Sequence, residues 1–173
     1  MIKNIEKNSD SSKELLELAM TGFDEAKKLV EDYKKTIEEK LSKDKFSYVS
    51  ITGASNVTGY INPINSIAKI VHRYGAKLIV DGAQLVAHRK IDMSGKHPDE
   101  SIDFLVFSAH KMYAPYGVGV IVGLSNDLNT FPFLKGGGAV KTVSDSDVIW
   151  KPVPERHEAG TQNFLGIVAL TAS

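Results

Sequence analysis

Two short runs of the chain, LIVD at residues 78–81 and FLVFS at 104–108, are apolar without alternation until a polar residue closes each one. A strand with one face in water alternates apolar and polar positions. One that is apolar throughout has both faces covered, as in the parallel sheets of α/β proteins. SYVSIT at 47–52 and VGVIV at 118–122 are similar β-branched runs, so four strands are expected. Between the first two lies NPINSIAKIVHRYG, in which Ile64, Ile67, Ala68 and Val71 recur at helical spacing. Asn62 stands where a helix cap belongs, Pro63 suits a first turn, and Gly75 suits the end. Strand, helix, strand is a βαβ unit, and its strands are parallel. Only APYG separates the region of Lys111 from the strand beginning at Val118. That is too short for a helical crossover, so the last strand is expected to run antiparallel. The expected fold class is α/β, a mostly parallel sheet flanked by helices with one antiparallel strand after the lysine.

Residues 1–46 read differently. They are rich in Lys and Glu, with Leu15, Leu18, Phe23, Ala26, Leu29, Val30, Tyr33, Ile37 and Leu41 near helical spacing. Ser11 and Glu14 form a capping-box pattern, Gly22 is expected to separate two helical pieces, and the charges are a solvated face. The expected organisation is therefore a charged helical segment at 1–46 and a partial α/β domain at 47–173. Across the chain 21 Lys and Arg balance 21 Asp and Glu, which gives a nucleic acid or an anionic membrane no electrostatic handle. No apolar run reaches the roughly 20 residues of a membrane-spanning helix, and MIKNIEKNSDSS lacks the apolar stretch of a signal peptide. A cytoplasmic location is expected. With no cysteine, the chain itself has no disulfide, no thiolate metal ligand and no thiol nucleophile.

Ligands of open α/β sheets bind beyond the carboxyl ends of the strands, and the polar residues of this sequence gather there. Asn56 follows the first strand, Asp81 and Gln84 the second, and Ser108, His110 and Lys111 the third. A carboxylate at the end of an apolar strand calls for a cation or a donor. Lys111 is one candidate partner for Asp81, but a half-buried lysine is also the usual Schiff-base nucleophile. An aldehyde cofactor with a cationic ring nitrogen engages both residues, and pyridoxal phosphate is such a molecule. Blander assignments compete. Asp81 can simply cap the turn after its strand. Ser108, His110 and Asp81 do not make a hydrolase triad, because no G-x-S-x-G elbow precedes a helix. GGGAV lacks the Lys-Ser/Thr of a phosphate-binding P-loop. His72 and His88 are expected at the surface or in packing, His97 and His157 share no metal-ligand spacing with them, and Arg156 and Glu158 are expected to form a structural ion pair.

SNVTGYINPI, LIVDGAQLVAHRKID, DFLVFSAHKMYAPYGVGVIVG, GGGAV and ERHEAGTQNF, in that order, closely resemble the class V aminotransferase family. These are fold type I pyridoxal-phosphate enzymes that include cysteine desulfurases and selenocysteine lyases. The resemblance runs from about Tyr48 to the C-terminus and is specific for family rather than for reaction. It implies that Lys111 forms the Schiff base with pyridoxal 5'-phosphate, that Asp81 pairs with the ring nitrogen, and that Gln84 donates to the ring oxygen. Ser108 and His110 would hold the phosphate, Asn56 would lie near the ring and the substrate carboxylate, and Thr161 would reach the cofactor of a partner subunit. An amino-acid substrate and a homodimer follow, with no nucleic acid and no membrane. The family's glycine-threonine phosphate loop and its ring-stacking aromatic are not recognisable in residues 1–47, nor is its small C-terminal domain present. The chain is thus expected to be the central part of the large domain, descended from a working enzyme. The alternative is a catalytically inert domain that serves folding or dimerisation only.

Overall fold

The computed structural model describes residues 24–115 and 117–173, which fall into two compact units with a boundary between Lys45 and Phe46. The expected capping box at Ser11 and Glu14, the apolar positions Leu15, Leu18 and Phe23, and the break at Gly22 lie outside the described residues. In the first unit, helix α1 covers residues 24–43. Val30, Lys34, Ile37 and Glu38 are half-buried and Leu41 is buried, at the three- and four-residue intervals of one helical stripe. The remaining charged side chains of α1 are exposed, and Lys34 pairs with Glu31 at 2.9 Å one turn away.

The second unit contains β1 (Tyr48–Thr52), α2 (Ile64–Arg73), β2 (Lys77–Asp81), β3 (Phe104–Ser108), β4 (Gly119–Gly123), α3 (Ser125–Leu128), β5 (Val140–Val143), β6 (Val148–Trp150) and α4 (Phe164–Ala172). The main sheet has the order β1-β2-β3-β4, with β1, β2 and β3 parallel and β4 antiparallel to β3. The parallel order and the antiparallel return are as the sequence predicts, but the expected cover on both faces is not reached: Leu78, Val80 and Leu105 are buried, whereas Ile79, Phe104, Val106 and Phe107 are half-buried, because α2 packs on one face only. Thr52 pairs with Asp81 and Asp81 with Val106, so the three parallel strands finish at one edge of the sheet. The antiparallel hairpin of β5 and β6 was not foreseen from the sequence, because its faces are mostly exposed and carry no apolar alternation.

The core is the face of α2 laid on β2. Ile67 and Val71 of the helix and Leu78 and Val80 of the strand are all fully buried, each contributing about 1.5–3 kcal/mol by leaving water. The ends of α2 separate two kinds of sequence signal. At its C-terminus Gly75 adopts φ +73°, its N–H donates to His72 O at 2.9 Å, and the Ala76 N–H donates to Val71 O at 3.3 Å. This is a Schellman closure, and its left-handed position suits glycine. At the N-terminus, the expected Asn62 cap is not made. Asn62 instead donates through Nδ2 to Thr52 O at 2.7 Å, and the cap position falls on Pro63 with no side-chain hydrogen bond. The strand end, short of partners at Thr52, takes the amide that the helix would have used.

Polar contacts across long sequence distances fasten the layers. His72 places Nε2 at 2.8 Å from Asp103 Oδ2 and Nδ1 at 2.8 Å from Asp99 O, while the same Asp103 oxygen accepts from the Leu78 N–H at 2.7 Å. One imidazole and one carboxylate thus join α2, β2 and the entry to β3. Arg156 departs from its expected pairing with Glu158. Its Nε donates to Lys151 O at 2.8 Å and its Nη1 to Asn129 Oδ1 at 3.1 Å, because the turn at Glu155–His157 brings it against the end of β6. Helix α4 closes on the loop before β4. A Cβ at Gly166 would lie 2.3 Å from Val118 Cγ2, so this contact requires glycine. No helix among the described residues is long and apolar enough to cross a membrane.

Candidate functional site

The site is assembled from three strand ends. β1 passes into a loop, residues 53–62, that is bonded to itself: the Ser55 N–H donates to Tyr60 O at 2.9 Å and the Gly59 N–H to Ser55 O at 3.0 Å. Ser55 Oγ accepts from the N–H groups of Val57 and Thr58, each at 3.2 Å. Asn56 therefore rides on a fixed turn with its side chain exposed. β2 ends at Asp81, whose Oδ1 accepts the Ala83 N–H at 2.9 Å. The blander role weighed for Asp81, capping its turn, is thus present. The bond uses Oδ1 and leaves Oδ2 without a partner among the described residues, so the cap also orients the carboxylate. The chain then makes consecutive hydrogen-bonded turns over residues 83–88, in which the His88 and Arg89 N–H groups both donate to Leu85 O at 3.0 Å.

β3 ends at Ser108 and continues into a 3-10 turn, Ala109–Met112, carrying His110 and Lys111. The turn is pinned on both sides. The Ala109 N–H donates to Val118 O at 2.8 Å, and Tyr113 closes the turn in the left-handed region at φ 65°, with its N–H bonded to Ala109 O. A bulky residue there is strained, and such strain gathers at working sites. Lys111 is half-buried and His110 exposed. The family model of aminotransferase class V matches residues 13–173.

The chain belongs to the class-V aminotransferases.

A probable cysteine desulfurase of Chlamydia muridarum is 41% identical to it over 136 residues, which are 78% of this chain and 33% of that protein. Among solved structures, the cysteine desulfurase CsdA of Escherichia coli, in an S-sulfonic acid form, superposes with a TM-score of 0.67 at 36% identity. That match covers 72% of this chain and 31% of CsdA. The apo cysteine desulfurase of Thermococcus onnurineus NA1 superposes at 0.71 with 34% identity, over 80% of this chain and 34% of its own. The chain spans about a third of the length of these relatives. The mostly parallel sheet it shares with them is the fold type I architecture that the motifs imply.

Set on this class-V framework, the seven expected site residues form three groups. Asn56 and Gln84 line one cavity of about 230 Å³, with Ala54, Ser55, Gly59, Ile61, Leu85, His88 and Arg89. Ser108, His110 and Lys111 follow one another on the neighbouring strand end, and Asp81 ends the strand between β1 and β3. Thr161 lies apart, exposed on the segment before α4; the adjoining Gly160 N–H donates to Gly137 O at 2.7 Å, tying that segment to the glycine-rich run. Apart from Asp81 Oδ1, none of these seven side chains has a hydrogen bond or ion pair among the described residues. A larger cavity of about 380 Å³, lined by Asn65, Lys90 and Asp92 among others, lies beside the start of α2, and none of the seven lines it.

Two residues on the 230 Å³ cavity were not expected there. The sequence puts His88 at the surface or in packing and gives Arg89 no role, yet both line this cavity. The signal was spacing: Gln84 and His88 are four apart, and the consecutive hydrogen-bonded turns over residues 83–88 bring both to one cavity wall. The sequence does not declare that turn, because residues 83–88 are too short a run for a helical period to show.

Proposed function

We propose that this chain carries the cofactor-binding part of a pyridoxal-phosphate-dependent enzyme that acts on an amino acid, with Lys111 as the covalent attachment point. The observation that carries the reading is the convergence of amine, carboxylate, amide, hydroxyl and imidazole at one end of the sheet, nearly all uncommitted to internal partners. As a donor set this fits the cofactor: an amine for its aldehyde, a carboxylate for its cationic ring nitrogen, and neutral donors for its phosphate. When bound, the cofactor supplies an electron sink for the substrate α-carbon.

In this reading Asp81, oriented by the Ala83 N–H, offers Oδ2 to the ring nitrogen and keeps it protonated. Gln84 donates to the ring oxygen, and Ser108 and His110 hold the phosphate. Lys111 would hold the cofactor's aldehyde and would be placed to move a proton as acid or base. Thr161 reaches the cofactor of a second copy, so the working unit is a homodimer. The exposure of Phe164, Leu165 and Val168 on α4 supports a covered surface there. The relatives' names favour cysteine as the substrate. The chain has no cysteine of its own to accept sulfur, so that acceptor thiol would be supplied from outside these residues.

Adding pyridoxal phosphate, reducing with borohydride and locating the label by peptide mass tests the reading. The expected label is on Lys111, with a visible absorption band that Lys111→Ala abolishes. Labelling spread over surface lysines and sparing Lys111 would support instead an inert domain that serves folding or dimerisation.

A further inference from the structure

We infer that the first turn of α4, through Gly166 and Asn163, is a positioning clasp for the turn that carries Lys111. What the clasp serves rests on the functional reading above; the clasp itself rests on contacts. Gly166 is the buried residue of α4, although glycine inside a helix is less stable than alanine. The helix needs the room: a Cβ there would lie 2.3 Å from Val118 Cγ2, 2.7 Å from Asn163 Nδ2 and 3.0 Å from Asn163 Cγ. Val118 therefore seats its side chain against the helix backbone, while its carbonyl accepts the Ala109 N–H at 2.8 Å. Ala109 is fully buried and opens the 3-10 turn Ala109–Met112. Val118 thus joins α4 to the turn of Lys111.

Asn163 adds a second link. Its Oδ1 accepts the Gly166 N–H at 3.0 Å, which caps the helix, and its Nδ2 donates to Gly117 O at 3.4 Å. A cap needs only an acceptor, so Ser, Thr or Asp would serve there. The amide nitrogen goes further and holds the residue before Val118. Asn163 is exposed and this bond is long, so the packing at Gly166 carries more of the clasp than the amide does. The turn calls for such support, because Tyr113 closes it in the strained left-handed region at φ 65°. Strain of this kind persists only where the surroundings over-determine the backbone. A lysine on an unheld turn would spread over more positions and reach a productive geometry less often.

The full chain without pyridoxal phosphate tests the clasp, and the chain with it tests what the clasp serves. Hydrogen exchange at the Ala109 N–H reads the first, with the Gly75 N–H, held by His72 O, as the control for the core. Gly166→Ala is expected to speed exchange at Ala109 about tenfold, and Asn163→Asp, which keeps the cap, about threefold. Both are expected to leave Gly75 unchanged. Adding Val118→Ala to Gly166→Ala makes room for the new methyl group and is expected to bring Ala109 back toward the parent rate. With pyridoxal phosphate, the two single variants are expected to weaken the Kd read from the absorption band by similar factors, and the double variant to recover it. Faster exchange at Ala109 and Gly75 together, no change in Gly166→Ala, or no recovery in the double variant would each overturn the clasp. Faster exchange at Ala109 with an unchanged Kd would overturn the positioning role. If exchange responds as expected while Lys111 of the parent takes no label, the functional reading fails and the clasp stands.

Discussion

Within the second unit, the stretch from Tyr48 to Ala114 buries Ile67, Val71, Leu78 and Val80 completely, whereas the stretch from Gly119 onward leaves Phe133 96% and Phe131 72% exposed. Past Ala114, Ala139 is the one buried hydrophobic among the described residues. The first stretch is held by its own core. The second is held by backbone pairing and polar links: β4 on β3, β5 on β6, Arg156 on Lys151 O, His157 on Leu128 O and Gly160 on Gly137 O. A hydrogen bond contributes a net 0.5–1.5 kcal/mol or so, and a buried aliphatic side chain about twice that. Stability is therefore concentrated before Ala114, while the later stretch presents apolar surface of the kind that meets another surface. The strand ends that carry the candidate site belong to the stable part.

Removing core volume should separate the two stretches most sharply. Leu78→Ala is expected to lower the stability of the second unit by about 2–5 kcal/mol, read as a fall in the urea midpoint. A loss under 1 kcal/mol would mean that α2 on β2 is not the principal core. A smaller effect is expected at the salt bridge between Lys77 and Asp127, which ties the start of β2 to α3. The hydrogen bond to Asp127, followed by attraction from that carboxylate and from Asp103, raises the Lys77 pKa above its ordinary value against the lowering effect of burial. Its stabilisation is complete below the ordinary lysine pKa and is lost as pH rises through the raised folded value. Asp127→Asn should flatten that alkaline limb by under about 1 kcal/mol, because the lysine is 39% exposed. Paired urea titrations at neutral and strongly alkaline pH measure it. The smallest effect belongs to Phe133→Ala, expected within about 0.5 kcal/mol of the parent. A large loss there would dissolve the contrast.

The sheet was legible because its signals are local. KLIV and FLVF announce parallel strands, APYG forbids a crossover, and Gly75 marks a left-handed helix end. The hairpin of β5 and β6 was hidden, since Val140–Val143 and Val148–Trp150 are short and their faces are mostly wet. Asn62 shows the limit of propensity: the residue type was right for a cap, but the carbonyl of Thr52 competed for its amide. The contact of His72 with Asp103 spans 31 residues and has no local signature. In the site, the polar residues closing each strand were visible because topology alone brings parallel strand ends together. The cavity's Arg89 was not, because its place depends on a turn that only the packed structure reveals.

The turn carrying Lys111 is closed at both ends by the sheet, with Ser108 paired to Gly119 and the Ala109 N–H on Val118 O. One residue inserted between them would reverse which face each β4 side chain occupies, since a strand repeats every two residues. The chain between β2 and β3 makes no strand pairing around Ser94–Lys96, where added length costs little closure entropy so long as Gly95 keeps its close approach to Glu100. In a set of descendants, the segment from Ala109 to Val118 should keep His110, Lys111 and its length while its other letters change, and insertions should collect between Asp92 and Pro98.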